Sequence, residues 1–323
     1  MSLVIGVQMD DIAGIDITGD TTFALALEAQ MRGYELFIYQ VEDMSFDCSS
    51  LWARGHVTQL RDEIGSHFTR SEMQRRNLAE CDVILMRQDP PFDMGYITAT
   101  HLLETLPGSS FVVNNPAEVR NAPEKILVTS FPDLMPPTLI SRSKTDIEAF
   151  RATHKDIIVK PLYGNGGAGV FRLQQGDQNL SSLLEMFFTQ STEPVMVQRY
   201  LPDVVHGDKR IILIDGKAVG AINRVPQKGE ARSNLHVGGT AQAVELTQSD
   251  LRIVERIGAE LSRRGLVFVG IDVIGEYLTE INVTSPTGIR EMSRFTGLNI
   301  AGMFWDCIEE KRQHPISNRV LVC

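Results

Sequence analysis

The chain has 323 residues, 43% hydrophobic and 22% charged, a length and balance that allow two or three domains with ample apolar cores. Its net charge of −10 gives no support to a nucleic-acid or anionic-membrane partner. No apolar run approaches the roughly 20 residues that a spanning helix needs.

The opening, MSLVIGVQMDDIAG, has no basic segment and soon turns acidic, so it is expected to be a first β-strand and not a signal peptide. Strand patterns at residues 3–9, 34–40, 81–89 and 110–115 alternate with a helix pattern at 20–32. That helix has Asp20 or Thr21 as N-cap and stops at Gly33. The alternation predicts an open, Rossmann-like α/β domain over residues 1–122. Ligands of such sheets bind beyond the strand C-terminal ends, which makes Asp10, Arg87 and Asp89 candidates by position. Charged residues also follow strands in ordinary loops, so position alone decides little.

Residues 121–137 read as a boundary, with a short helix after Pro123 and the break PDLMPPT. Residues 123–312 then read as a mixed antiparallel α+β domain, and 313–323 as a tail. Strands are expected in TLISR, DIIVKPL, VFRL and PVMVQRYLP, with helices near 145–153, 180–189 and 249–264. KRIILIDGKAVGAINRVP reads as a hairpin turning at Asp215-Gly216, and residues 224–239 as a long polar loop. Cys48, Cys81, Cys307 and Cys323 lie far apart without a C-x-x-C pair, which predicts reduced thiols in a cytoplasmic protein.

Three stretches carry chemistry. Residues 267–287, VFVGIDVIGEYLTEINVTSPT, read as two strands around a short turn. Glu280 and Asn282 share a strand face, and Asp272 joins them if the turn is the three residues 275–277 or a bulge has the same effect. Two carboxylates and an amide oxygen, without His or Cys, suit Mg²⁺ held together with substrate phosphates, with Mn²⁺ as a substitute. The competing reading is a solvated acidic face. Gly164-Asn165-Gly166-Gly167-Ala168-Gly169 matches G-x-G-x-x-G, but a strand pattern and no helix follows, and no Gly-Lys-Ser/Thr ends it. It is neither a dinucleotide fingerprint nor a P-loop. A glycine-rich hairpin beside the strand-end Lys160 suits phosphate contact through backbone N–H groups. Finally, VMVQRYLP is an apolar strand with a polar end against which a purine can lie, and Asp208 follows it. The seven histidines form no recognisable nucleophile and base pair.

The order Lys125, IIVKPL with GNGGAG, VQRYLP, GDKRIILIDG, NRVP and LTEINVTSPTGIRE resembles the ATP-grasp superfamily, specifically its bacterial glutathione synthetases. The resemblance runs from about residue 1 to about 312, and MRQDPPFD and EINVTSPTGIRE are its most distinctive strings. It implies an ATP-dependent carboxylate–amine ligase that joins γ-glutamylcysteine to glycine through an acyl phosphate. By that resemblance Lys125, Lys160, Gly164, Gly166 and Gly167 hold ATP phosphates, Tyr200 and Leu201 lie at adenine, and Asp208 holds ribose. Asp272, Glu280 and Asn282 bind two Mg²⁺, while Arg210, Arg224 and Lys160 serve catalysis, Arg210 also touching ATP. Arg87, Asp89, Arg224, Arg232, Asn234, Ser285, Pro286 and Thr287 face the peptide and acyl phosphate. A homo-oligomer, dimer or tetramer, is also implied. Arg199 and His236-Val237 depart from the small residues expected at those positions, and the tail HPISNRVLVC runs past the usual end. The alternatives are another ATP-grasp peptide ligase or a non-catalytic ATP-binding module.

Overall fold

The computed structural model describes residues 2–164, 166–227 and 239–313. In the N-terminal part, β1 (Val4–Gln8) leads through α1 (Thr21–Met31) to β2 (Glu35–Tyr39). An antiparallel excursion follows, made of β3 (Met44–Asp47), β4 (Ser50–Leu60), β5 (Phe68–Arg70) and β6 (Gln74–Asn77). The chain returns through β7 (Val83–Met86), α2 (Met94–Glu104) and β8 (Phe111–Val113).

Strands β2, β1, β7 and β8 lie side by side and parallel, as the alternating pattern predicts. All of β7 is buried, which is why VILM is apolar throughout. Asp20, not Thr21, caps α1, its carboxylate accepting the Phe23 N–H at 2.6 Å. The excursion at 44–77 was not expected. Strand β4 pairs with β2 and extends the sheet edge, but Arg54, His56 and Gln59 interrupt its apolar pattern.

Two short helices, α3 (Pro116–Arg120) and α4 (Glu124–Leu127), lead to a second sheet. It contains β9 (Thr138–Ser141), β10 (Ile157–Pro161), β11 (Phe171–Leu173) and β12 (Val195–Arg199), antiparallel in the order β11-β10-β12-β9. Helices α5 (Lys144–His154) and α6 (Leu180–Gln190) supply Ile147, Leu180 and Leu184 to its core of Val159 and Val197.

The third sheet holds β13 (Asp208–Ile214), β14 (Lys217–Val225), β15 (Thr240–Ala243), β16 (Phe268–Ile274) and β17 (Tyr277–Asn282), in the order β15-β14-β13-β16-β17. Helix α7 (Gln248–Arg263) precedes β16, and α8 (Ile289–Thr296) and α9 (Ile300–Gln313) end the described chain. The β13–β14 turn is Asp215-Gly216, as expected. Gly216 combines a φ of +76° with a close approach to Gly258, whose carbonyl oxygen lies 2.3 Å from where a Cβ would sit. Arg224 is not in a polar loop. It lies in β14, opposite Asp208 on one side and Ala241 on the other.

The two larger cores mix both halves of the chain. Ile5, Val7 and Leu25 pack in one cluster with Ile212, Phe268 and Trp305, and Tyr39 and Met86 share another with Ile211 and Ile281. Trp305 on α9 is fully buried and donates its indole N–H to the Leu25 carbonyl at 2.7 Å. Among the described residues, no helix is long and apolar enough to cross a membrane.

Candidate active site

The second and third sheets face each other across a cleft, with α4 and the end of β7 at its side. The β16–β17 hairpin sets its floor. Its turn has two residues, Gly275 and Glu276, not the three of the first alternative. Ile274 pairs with Tyr277 and Val273 with Leu278, and the register then shifts so that Asp272 faces Glu280. Thr279 is the extra residue of this bulge, and its hydroxyl donates to the Asp272 carbonyl at 3.0 Å. The bulge brings two carboxylates to one face, which a regular two-residue hairpin would have turned apart.

Each carboxylate is held by two cations. Arg210, paired with Asp272 across β13 and β16, grips it with Nε at 2.5 Å and Nη2 at 2.9 Å. The Arg224 Nη2 lies 3.0 Å from Asp272 and 2.6 Å from Asp208. Glu280 accepts from Lys160 Nζ at 3.3 Å and lies 3.7 Å from Lys125 Nζ. Burial alone would raise the Asp272 and Glu280 pKa values. The two arginines and the two lysines outweigh it and hold both carboxyls below their usual range. Burial lowers Lys160, with Glu280 offsetting part of the effect. Asn282 donates to Asp272 Oδ2 at 3.3 Å and to the Gly270 carbonyl at 3.2 Å.

The glycine-rich segment is the connection of the β10–β11 hairpin, as expected. Gly166, Gly167 and Gly169 all have left-handed φ, from +61° to +79°, which side chains disfavour. Lys125 reaches from α4 to donate to the Gly164 carbonyl at 2.6 Å. Tyr200 and Leu201 line the cleft at the end of β12, and Arg172 stacks 3.7 Å from the centre of the Tyr200 ring. Arg199 bridges the two sheets, its Nη2 donating to the Tyr277 hydroxyl at 3.0 Å.

Residues 283–287 follow the hairpin, and each is clasped by a different side chain. Asn114 donates to the Val283 carbonyl at 2.8 Å, and Glu124 accepts from the Thr284 hydroxyl at 2.9 Å. Asp89 accepts from Ser285 at 2.8 Å, Arg87 donates to the Pro286 carbonyl at 3.0 Å, and Arg210 Nη1 lies 3.5 Å from the Thr287 carbonyl. Four of these five side chains come from residues 87–124, so the first sheet and α4 shape the turn.

Among the predicted residues, Lys125, Lys160, Gly164, Gly166, Gly167, Tyr200, Leu201, Asp208, Arg210, Arg224, Asp272, Glu280, Asn282, Asp89, Ser285, Pro286 and Thr287 line one cleft. Arg87 is not on its wall but buried behind the turn, and Asp10 accepts the Asp89 N–H at 3.1 Å. Arg232, Asn234 and His236 lie outside the described residues, as does the tail from residue 314. Two residues escaped sequence reasoning. Glu124 lines the cleft, and burial, with Glu280 nearby, raises its carboxyl from 4.5 to about 6. Its available signal was a carboxylate in the first helical turn beside Lys125. Asn114 gave no signal, since nothing local says what a strand-end amide will meet.

Two family models match the chain in order: prokaryotic glutathione synthetase, N-terminal domain, over residues 3–120, and prokaryotic glutathione synthetase, ATP-grasp domain, over residues 124–297. A glutathione synthetase of Mesorhizobium japonicum is 58% identical over 313 residues, covering 97% of this chain and 100% of the relative. One of Vibrio parahaemolyticus is 41% identical over 309 residues, covering 95% and 98%. Among solved structures, the D-cycloserine synthetase DcsG superposes with a TM-score of 0.68 at 15% identity, covering 96% of this chain and 99% of that one, a likeness of fold alone. With both domain models matched in sequence order and a relative 58% identical over nearly its whole length, the chain belongs to the prokaryotic glutathione synthetase family of ATP-dependent ATP-grasp ligases.

Proposed function

We propose that this ligase joins the cysteinyl carboxyl of γ-glutamylcysteine to glycine, using ATP, in the cleft floored by Asp272 and Glu280. The dipeptide carboxylate attacks the γ-phosphorus, giving ADP and an acyl phosphate. The glycine amine then attacks the acyl carbon and phosphate leaves. A carboxylate is a poor electrophile, and phosphorylation supplies its leaving group. What the protein must provide is positive charge at the phosphoryl group, orientation and exclusion of water.

The observation that carries this reading is the charge pattern of the cleft. Among the described residues, Lys125, Lys160, Arg199, Arg210 and Arg224 meet Asp89, Glu124, Asp208, Asp272 and Glu280, five cations against five carboxylates. Such a site binds a strongly anionic nucleotide well only with added cations. Asp272, Glu280 and Asn282 offer hard oxygen donors, and among the described residues no group of three His, Cys, Asp or Glu side chains forms an all-protein metal cage. That donor set fits Mg²⁺, or Mn²⁺ in its place, shared with phosphate oxygens, two ions per site. When bound, the metal neutralises phosphate charge.

In this reading Lys125 and Lys160 exchange Glu280 for ATP phosphates, and Gly164, Gly166 and Gly167 cover them. Tyr200 and Leu201 flank adenine, and Asp208 takes ribose. Arg210 and Arg224 steady the transferring phosphoryl group. Asp89 and the 285–287 turn hold the peptide, and Arg232 and Asn234 are proposed to contact it. The relatives described above, all named glutathione synthetase, favour γ-glutamylcysteine and glycine over the substrates of another peptide ligase. A cytoplasmic homo-oligomer with reduced thiols completes the proposal, and sedimentation of the purified protein as a monomer would refute the oligomer.

The decisive test is product formation. Purified protein with ATP, Mg²⁺, γ-glutamylcysteine and glycine should release phosphate and glutathione in equal amounts. Phosphate release that needs neither peptide nor glycine would overturn the substrate assignment.

A further inference from the structure

Arg87 is 5% exposed, yet it makes no salt bridge among the described residues. Its Nε donates to the Thr22 hydroxyl at 3.0 Å and its Nη2 to the Pro286 carbonyl at 3.0 Å. Its Nη1 has no hydrogen-bond partner among the described residues, and the guanidinium carbon lies 5.6 Å from the centre of the Phe268 ring. Burying an arginine with so few partners costs free energy that an apolar side chain of similar volume would not cost. The two hydrogen bonds show what the guanidinium does there. It ties the first turn of α1 to one peptide plane of the 285–287 turn.

That plane matters. The Pro286–Thr287 peptide is trans and planar, so its N–H points opposite to its C=O. The carbonyl is held toward Arg87, behind the turn. The Thr287 N–H therefore points away from Arg87, and Thr287 is one of the residues that line the cleft. No acceptor among the described residues takes it.

We propose that Arg87 is a positioning residue: it fixes the Pro286–Thr287 peptide so that the Thr287 N–H is presented to the carboxyl being activated, and it does not touch the dipeptide. This rests on the reading of residues 285–287 as the turn that presents that carboxyl. The N–H would stabilise the oxygen that gains charge as glycine attacks.

The test compares wild type, Arg87→Met and Arg87→Lys, with γ-glutamylcysteine and with 4-aminobutyrylcysteine, which lacks the glutamyl α-carboxylate. Arg87→Met should lower kcat by about 10- to 100-fold, the scale of a small misplacement at a reacting centre. Nucleotide affinity should change less than two-fold, and the kcat penalty should be equal for both dipeptides. Arg87→Lys keeps a donor of similar reach and should recover part of kcat. A penalty that disappears with the shortened dipeptide would make Arg87 a direct carboxylate ligand and overturn the proposal. So would an unchanged kcat, or an Arg87→Lys enzyme that keeps its fold but is as slow as Arg87→Met. Wild type that makes no glutathione would instead refute the substrate reading.

Discussion

The β9–β12 sheet and the β16–β17 hairpin face each other across the cleft, but they are anchored in opposite ways. The β9–β12 sheet has a core of its own, closed by α5 and α6. The hairpin is built into cores that also contain β1, β2 and β7. Lys160 and the glycine-rich segment ride on the first body, and the carboxylates and the 283–287 turn belong to the second. Several ties between them are polar and lie in or beside the cleft, namely Lys160 to Glu280, Lys125 to Gly164 and Arg199 to Tyr277. A phosphate group that draws the lysines from Glu280 changes the contact between the two bodies directly. In the proposed function, groups that must keep angstrom-level geometry sit where packing is shared, and the groups proposed to cover the nucleotide sit where it is separate.

The largest expected effect breaks the link between the bodies. Glu280→Ala removes the carboxylate that Lys125 and Lys160 share. Turnover should fall by at least ~100-fold, the scale of losing one electrostatic stabiliser, while circular dichroism still reports a folded chain. An Glu280→Ala enzyme of normal kcat would remove that carboxylate from the mechanism.

A second prediction separates the bodies by stability. Leu184 is 2% exposed in the core of the β9–β12 sheet, and Ile281 is fully buried beside Asp272 and Glu280. Each truncation to Ala should cost about 2–5 kcal/mol. Leu184→Ala should speed amide hydrogen exchange in residues 138–199 and leave β1 and β16 protected, whereas Ile281→Ala should lower protection in both the first and third sheets. Equal loss everywhere in both variants would show that the two bodies unfold as one.

The smallest expected effect concerns Glu124, which faces Lys125, Glu280, Arg210 and Thr284. Its carboxyl is raised from 4.5 to about 6, so the folded state holds the proton more tightly than the unfolded state does. The resulting penalty is absent below pH 4.5 and complete above pH 6, so this group's contribution falls as pH rises through that window. Glu124→Gln keeps an acceptor for Thr284 and removes the charge. Its Tm advantage over wild type should grow between pH 4.5 and 6.5 and then level, corresponding to at most about 2 kcal/mol. A Tm difference independent of pH would refute the assignment.

Much of the site was legible because strand periodicity and glycine patterns are local. Glu280 and Asn282 share a face by alternation alone, and GNGGAG between two strands reads as a hairpin without reference to the rest of the chain. Arg224 fell in both the hairpin and the polar-loop readings because a polar stretch follows it, and its pairing with Asp208 places it in β14. The 44–77 strands stayed hidden because charged residues interrupt their alternation.

Composition, the strand and helix periods and the distinctive strings determined the class of chemistry and most of the residues that line the cleft. Tertiary structure alone decided how they meet. The bulge at Thr279 depends on pairing between strands, and the clasp on residues 283–287 joins side chains more than 75 positions away. Burial placed Arg87 behind the turn and raised Glu124 toward neutrality. Those outcomes follow from long-range packing and desolvation, which no local pattern encodes.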